Sequence, residues 1–375
     1  MRSLLADHAV VWLAIGAAAV AMSFAILVRS RSIGQLLGVM DEPDGFRKTH
    51  ESPTPLVAGM GILFPLFFWC VANILLHASV ESAILKVVLL CGFGTALVGY
   101  MDDRRSTSPS IRLFAVLLFS SIALVIDPNL IPTQIRWEGV GVVHIPQWIA
   151  FPFAVLSLTG FVNAVNMADG QNGLVIGLVI IWSMCLAMST SGTAQSTSIL
   201  LCGASLIAFA FNMSGRSFLG DSGAYGLGFV VGVMAIWAHN SWGVSAQTVG
   251  VWFFVPVLDC LRLIANRLGR GYSSFGADRN HFHHRLQHRF GMHASLTVYL
   301  GVVGAASVCA TVFPPLASLI LIVLASIYFS LAWLDDFLAG KGGPNVQKAD
   351  GNAFQVTDET TFASAPSVDN RIQSH

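Results

Sequence analysis

About eleven apolar segments, separated by short loops, constrain this 375-residue chain more than any other feature of its sequence. Asp, Glu, Lys and Arg together make up 11% of the residues, against about 25% in an average soluble protein. Hydrophobic residues reach 54%. A membrane-spanning helix needs roughly 17–25 mostly apolar residues, and most of these segments have that length. The sequence therefore predicts an all-α polytopic membrane protein with about 11 transmembrane helices.

The predicted spans are about 9–28, 56–77, 84–101, 111–126, 148–165, 173–190, 196–213, 222–239, 247–266, 295–313 and 316–334. The first span resembles a signal peptide, but its apolar stretch is longer than the roughly 7–15 residues of a signal core. We therefore expect it to be retained. The whole region 1–340 is predicted to be one transmembrane domain, and the polar segment 341–375 a disordered tail.

The distribution of Lys and Arg predicts the orientation. With eleven spans, 17 of the 20 Lys and Arg residues fall on one side, and only Arg2, Lys86 and Arg136 fall on the other. Because positive residues favour the cytoplasm, the basic side is predicted to be cytoplasmic and the N-terminus to lie outside.

Composition also excludes several classes of function. The 20 basic and 20 acidic residues balance, which argues against nucleic-acid binding. The six cysteines lie nearly all within apolar runs and never form a CxxC pair, so we interpret them as buried packing residues without a redox or zinc role.

Polar clusters occur in five loops of the predicted cytoplasmic face, at 41–50, 99–105, 163–174, 216–223 and 275–284. In the second loop, Asp102 and Asp103 directly follow an apolar run. Two adjacent carboxylates remain ionised only if a cation compensates their charge. The pair could bind Mg²⁺, with Mn²⁺ as a substitute, or one of the two could act as a base. The alternative is a solvated loop start neutralised by Arg104 and Arg105.

Asp221 lies between two glycines in the sequence FLGDSG, residues 218–223. The glycines would let the backbone approach a ligand closely. The alternative is that Asp221 is the N-cap of the next helix, since Asp is a preferred capping residue.

The stretch NAVNMADGQNGL, residues 163–174, interrupts an apolar region with amides, a carboxylate and glycines. Unsatisfied amides are costly in such surroundings, and interrupted helices at membrane depth are tolerated where they line a cavity. The amides could ligate Mg²⁺ or hydrogen bond to the edge of a base. A role in packing alone is the alternative.

Arg279, His281, His283 and His284 lie in the sequence RNHFHH and are suited to phosphate binding. Zinc binding and a merely solvated loop are the alternatives. Taken together, the five loops favour phosphoryl transfer, in which positioning and charge neutralisation do most of the work. One substrate would be an anionic nucleotide from the cytosol, and the other could arrive from the bilayer.

In these motifs, over about residues 41–290, the chain resembles the polyprenyl-phosphate N-acetylhexosamine-1-phosphate transferases. This family (glycosyltransferase 4 type) is related to the phospho-MurNAc-pentapeptide translocase. The resemblance implies transfer of a sugar-1-phosphate from a UDP-sugar to undecaprenyl phosphate with release of UMP. That reaction initiates a lipid-linked surface glycan, such as lipopolysaccharide or a cell-wall polymer. The resemblance therefore also implies a multi-pass protein of the bacterial inner (cytoplasmic) membrane.

The resemblance also implies a role for each matching residue. Asp102 would deprotonate or orient the lipid phosphate, and Asp103 would support binding of the metal or of phosphate. Asp221 would be the principal Mg²⁺ ligand, with Asn166 as a second ligand. Asp169, Asn172 and Gly173 match the stretch that would form the uridine side of the pocket. Arg279, His281, His283 and His284 match the basic loop that would hold the diphosphate and sugar. Lys48 and His50 match the first cytoplasmic loop, where phosphate contacts are expected, and Arg112 would also contact phosphate.

Two positions depart from the family pattern. Asn172 stands where many bacterial members have a second Asp, and Ala58 replaces the first glycine of a pair, leaving Gly59. The sequence ADRNHFHH resembles the type that transfers GlcNAc-1-phosphate. UDP-GlcNAc is therefore the expected donor, with another UDP-N-acetylhexosamine as the alternative.

We expect a single in-line displacement, in which an oxygen of the lipid phosphate attacks the sugar-bearing phosphorus. A two-step route through an aspartyl-phosphate is the alternative. A transporter of an anionic metabolite is the alternative from another class, since secondary carriers also have broken helices, and a CDP-alcohol phosphotransferase is an enzymatic rival. A homodimer is the default oligomer.

Overall fold

The computed structural model describes residues 2–43, 52–76, 82–269 and 281–341. The predicted site residues Lys48, His50 and Arg279 lie outside the described residues, as does the predicted tail from 342 onward. Among the described residues, those up to Ala332 form one compact unit, and those from Trp333 onward belong to a second unit.

Helices make up most of the described chain. They are α1 (Arg2–Val28), α2 (Ser30–Leu37), α3 (Ala58–Leu76), α4 (Ser82–Arg105), α5 (Pro109–Ile126), α6 (Gln147–Ala168), α7 (Leu174–Ser189), α8 (Gly192–Met213), α9 (Gly220–Trp242), α10 (Ala246–Gly269), α11 (Phe282–Phe290), α12 (Met292–Val312) and α13 (Ala317–Lys341).

The predicted fold class is confirmed, since each of the eleven predicted spans coincides with one of these helices. Within the described residues, ten helices are long and apolar enough to cross a membrane, and the shorter apolar helix α7 corresponds to the eleventh predicted span. The two helices without a predicted counterpart are α2, with 8 residues, and α11, with 9 residues.

Two small antiparallel pairs of strands complete the described structure. Strand β1 (Met40–Asp41) pairs with β2 (Thr54–Pro55). Strand β3 (Gln134–Trp137) pairs with β4 (Gly141–His144) in a hairpin between α5 and α6. Two glycines with positive φ, Gly139 in the turn at 80° and Gly141 at the start of β4 at 108°, let the chain reverse here.

Helix α9 lies at the centre of the bundle, because 94% of its apolar window is buried. It packs against α3, α4 and α6, and its interface with α4 is the most extensive between helices of the described chain. Glycines permit this approach. A Cβ atom at Gly59 would overlap the backbone of Gly223, and one at Gly99 would overlap the backbone of Asp221. The start of α3, through Gly59, and the end of α4, through Gly99, therefore both lie directly against the start of α9.

Candidate active site

Asp103, in the last turn of α4, caps the N-terminus of α9. Its carboxylate accepts hydrogen bonds from the backbone N–H groups of Asp221, at 2.8 Å, and Ser222, at 3.0 Å. The first N–H groups of a helix have no partner within the helix. In α9 the N-cap residue Leu219 makes no side-chain cap. Asp103 of the neighbouring helix α4 accepts from two of these N–H groups instead. The alternative that Asp221 caps its own helix is therefore wrong.

The side chain of Asp221 is consequently free to face groups from other helices. The amide of Asn166, near the end of α6, donates a hydrogen bond of 2.8 Å to Asp221 Oδ1. Arg112, in the first turn of α5, places Nη1 3.9 Å from Asp221 Oδ2. Motifs that are separated by more than fifty residues in the sequence thus meet at one carboxylate.

Arg112 also forms an ion pair with Asp102. The backbone N–H of Thr107 donates to the same carboxylate at 2.6 Å, to the oxygen that Arg112 does not contact. Arg112 therefore lies between Asp102 and Asp221. Arg112 Nε is buried without a hydrogen-bond partner in the described structure. An oxygen of a bound phosphate would satisfy it.

The side chains at this site fit Mg²⁺ if phosphate oxygens of a substrate supply some of the ligands. Among the described residues, no group of three or more His, Cys, Asp or Glu side chains is arranged to hold a metal ion. Asp103 is occupied by two backbone N–H groups, and the side chain of Asp102 is only 8% exposed, against 33% for Asp221. Mg²⁺ commonly takes one or two protein carboxylates and completes its shell with water and phosphate oxygens. Asp221 and Asn166 could supply the protein's share.

The predicted histidine cluster lies against the loop that follows α6. A Cβ atom at Gly170 would overlap the imidazole of His283 and would lie 3.5 Å from Nε2 of His284. His283 is only 3% exposed, and its Nε2 has no partner among the described residues. Burial, followed by the charges of His284 and His281, lowers the pKa of His283 to about 3. His283 is therefore neutral at pH 7 and would act on a ligand through hydrogen bonding rather than through charge.

Asp169, directly after α6, gives a testable pH dependence. Burial, reinforced by the charge of Asp103, raises its pKa to about 7, from roughly 3.9 in an unfolded chain. Between these values the folded state binds more protons than the unfolded state, so stability falls as the pH rises from about 4 to about 7. We expect Asp169→Asn to remove part of this decline, measured as thermal stability of the ligand-free protein against pH. Parallel curves for the two proteins would contradict the assignment.

The turn between α6 and α7 is fixed by a residue of α8. Gly173 has a φ of 82°, and its N–H donates a hydrogen bond of 2.6 Å to Asn212 Oδ1. The amide of Asn212 in turn donates to the carbonyl of Ser217 at 3.0 Å. Asn212 thus ties the predicted uridine-side loop, with the half-buried Asn172, to the loop before Asp221.

Two contributors to the site are absent from the sequence-based predictions, Asn212 and Asp259. Asp259, in α10, accepts a hydrogen bond from His281 at 3.0 Å. Both residues carried a usable signal, because a buried amide or carboxylate inside an apolar span is costly and usually has a partner or a function.

Comparisons with known proteins place similarity in the same part of the chain. A family model described as "Glycosyl transferase family 4" matches residues 85–239, which run from α4 to the end of α9. Residues 85–239 are therefore similar to this family. The resemblance inferred from the motifs is thereby confirmed, and the match includes Asp102, Arg112, Asn166 and Asp221.

Three relatives that match most of the chain are named as transferases. A probable undecaprenyl-phosphate N-acetylglucosaminyl 1-phosphate transferase of Bacillus subtilis is 25% identical over 273 residues, covering 70% of this chain and 73% of the relative. A decaprenyl-phosphate N-acetylglucosaminephosphotransferase of Mycobacterium leprae is 26% identical, covering 64% and 68%. An undecaprenyl-phosphate alpha-N-acetylglucosaminyl 1-phosphate transferase of Yersinia pestis is 26% identical, covering 75% and 81%.

Proposed function

We propose that this protein transfers GlcNAc-1-phosphate from UDP-GlcNAc to undecaprenyl phosphate in the bacterial inner membrane and releases UMP. The observation that carries the proposal is the bridging position of Arg112 between Asp102 and Asp221, with Asn166 on the far side of Asp221. This arrangement brings together a cation, two carboxylates and an amide from four helices. Two relatives are named undecaprenyl-phosphate N-acetylglucosaminyl 1-phosphate transferases, which supports the acceptor and the transferred group of this proposal.

The reaction that fits these groups is a displacement at the sugar-bearing phosphorus of the donor. An oxygen of the lipid phosphate forms the new bond to phosphorus, and the bond from phosphorus to the bridging oxygen breaks, so that UMP leaves. Two anions must be brought together for this step. Arg112, with its unpartnered Nε, would bind one phosphate, and Asp102 would hold the guanidinium in place.

Asp221 and Asn166 would hold Mg²⁺, which when bound neutralises negative charge on the diphosphate. Asp103 would act on this site indirectly, since it fixes the backbone of Asp221 through the cap of α9. The uridine and sugar would lie toward Asp169 and the histidines that contact Gly170.

The test is a transfer assay with purified full-length protein, undecaprenyl phosphate, Mg²⁺ and labelled UDP-GlcNAc. We expect labelled lipid and an equal amount of UMP. Product with a different UDP-N-acetylhexosamine only would change the donor while keeping the reaction. If no UDP-sugar gave product or bound to the protein, the transferase proposal would fail and a transporter would become the better hypothesis.

Asp102→Asn provides a prediction within the same assay. The substitution keeps the shape of the side chain but removes the charge that pairs with Arg112. We expect kcat to fall on the order of 10²-fold, in the range for groups that orient or transfer protons in a transition state. Wild-type kcat in the folded Asn variant would contradict a role for this ion pair.

A further inference from the structure

We propose that Asp259 is a positioning residue, which fixes the tautomer and orientation of His281 so that Nε2 of this histidine faces the diphosphate-sugar side of the site. The inference rests on the proposed function for its substrate. The geometry of the dyad is independent of that function. Asp259 lies in the apolar helix α10, and its role follows from the groups around it.

The carboxylate of Asp259 is surrounded by hydrogen-bond donors. Its oxygens accept from the guanidinium of Arg262 at 2.8 Å, from the hydroxyl of Tyr328 at 2.8 Å and from the backbone N–H of Phe282 at 3.1 Å. Arg262 Nε also donates to the oxygen of Tyr328 at 2.7 Å, which leaves the hydroxyl proton of Tyr328 for Asp259. Every neighbour therefore requires Asp259 to accept, as an ionised carboxylate does.

This arrangement fixes the proton of His281. Nδ1 of His281 lies 3.0 Å from Asp259 Oδ2. Because the carboxylate only accepts, Nδ1 must carry the hydrogen, and Nε2 is then the nitrogen that can face a ligand. A carboxylate behind an imidazole orients the ring and sets its tautomer in the same way at metal sites and in catalytic triads.

The same carboxylate places the start of α11. Its bond with the N–H of Phe282 satisfies one of the first N–H groups of that helix. His281 stacks on His283, with ring centroids 5.3 Å apart and planes inclined by 16°. His283 lies against Gly170, beside Asp169. Cys260, the residue after Asp259, contacts Met167 of α6 at 3.4 Å between sulfur atoms. Asp259 thus links α10 and the histidine cluster to the loop after α6.

A double-mutant cycle separates positioning of His281 from a general structural role. We expect Asp259→Asn to lower kcat/KM by roughly 10- to 100-fold, as for other outer-shell partners of an imidazole. His281→Ala should lower it at least as much. If Asp259 acts through His281, the double variant should match His281→Ala within about twofold. Losses that multiply in the double variant would overturn the inference.

Asp127→Asn is the matched control. Asp127 is also a buried carboxylate, but it holds the backbone and side chain of Asn129 in the turn after α5. We expect this variant to keep wild-type kcat/KM whatever its effect on thermal stability. A loss of activity equal to that of Asp259→Asn would show that removal of any buried carboxylate suffices, and would overturn the inference.

A second measurement does not depend on turnover. In protein labelled with ¹⁵N-histidine, the His281 signals are assigned by their loss in His281→Ala. We expect Nδ1 to be protonated in the wild type and the proton distribution to change in Asp259→Asn. An unprotonated Nδ1 in the wild type would contradict the inference. Failure of the proposed function would instead appear as a wild type inactive with every UDP-sugar, so the two failures are distinguishable.

Discussion

Asp221→Ala should reduce transfer of the sugar phosphate by about 10²- to 10³-fold, the scale measured when a preorganised electrostatic group is removed. Asp221 is the group on which the other site residues converge. Asn166 donates to one of its oxygens, and Arg112 lies near the other. Without its carboxylate, the protein would lose the proposed principal ligand for Mg²⁺ and the hydrogen-bond and ion-pair partner of both neighbours.

The loss should occur without unfolding. The backbone N–H of Asp221, and not its side chain, joins α9 to Asp103. The alanine variant therefore keeps the cap of α9 and removes a carboxylate that lies among Asp102 and Asp103. We expect the melting temperature of the purified variant to be equal to or above that of the wild type.

Activity and thermal stability are therefore measured on the same preparations. Glu138→Ala is a suitable control, since Glu138 lies next to the β3–β4 hairpin turn and uses its backbone, not its side chain, to bond Gln247. The control should retain full transfer. If Asp221→Ala kept its activity within tenfold of the wild type, Asp221 could not be the principal metal ligand. If the variant were inactive and also unfolded, the argument from the cap of α9 would be wrong.

The membrane helices were predictable because their signal is local. Each span reveals itself by a run of apolar residues of nearly fixed length, and all eleven correspond to helices of the structure. The helix α11 was not predicted, because it is short and polar and depends on a contact with Asp259 twenty-three residues earlier. The β3–β4 hairpin is likewise short, and its exposed strands show no alternating burial.

The residues of the candidate site could be proposed from the sequence, but the contacts between them could not. Polar groups beside apolar runs are costly and are usually functional. On this ground the sequence pointed to Asp102, Asp103, Asn166 and Asp221. The sequence did not indicate that Asp103 would cap another helix while Asp102 paired with Arg112. These two adjacent residues have the same side chain, and only the packing of α4 against α9 and α5 distinguishes their roles.

Gly99→Ala should disrupt this packing and lower both the stability and the activity of the protein. A Cβ atom at Gly99 would overlap the carbonyl of Asp221 and the backbone nitrogen of Ser222. These are backbone atoms at the start of the central helix, so a change of side-chain rotamer cannot relieve the overlap. Helices α4 and α9 would have to separate, and overpacking of this kind costs about 1–3 kcal/mol or more.

The same separation should also lower activity. Gly99 lies one turn before Asp102 and Asp103 in α4, so a shift of this turn moves both carboxylates relative to Asp221. A displacement of about 1 Å at an active site can cost on the order of 10²-fold in rate. We therefore expect Gly99→Ala to lose both thermal stability and transfer activity, whereas Asp221→Ala should lose activity alone.

Gly160→Ala is the matched control. Gly160 lies in α6, the helix that carries Asn166, and a Cβ atom there meets nothing within 4 Å. Since alanine favours a helix over glycine by about 1 kcal/mol, this variant should be at least as stable as the wild type and fully active. Wild-type melting temperature and activity in Gly99→Ala would show that α4 and α9 do not approach through this glycine. The contact between Asp103 and the start of α9 would then have to be reconsidered, because both depend on the same approach of the two helices.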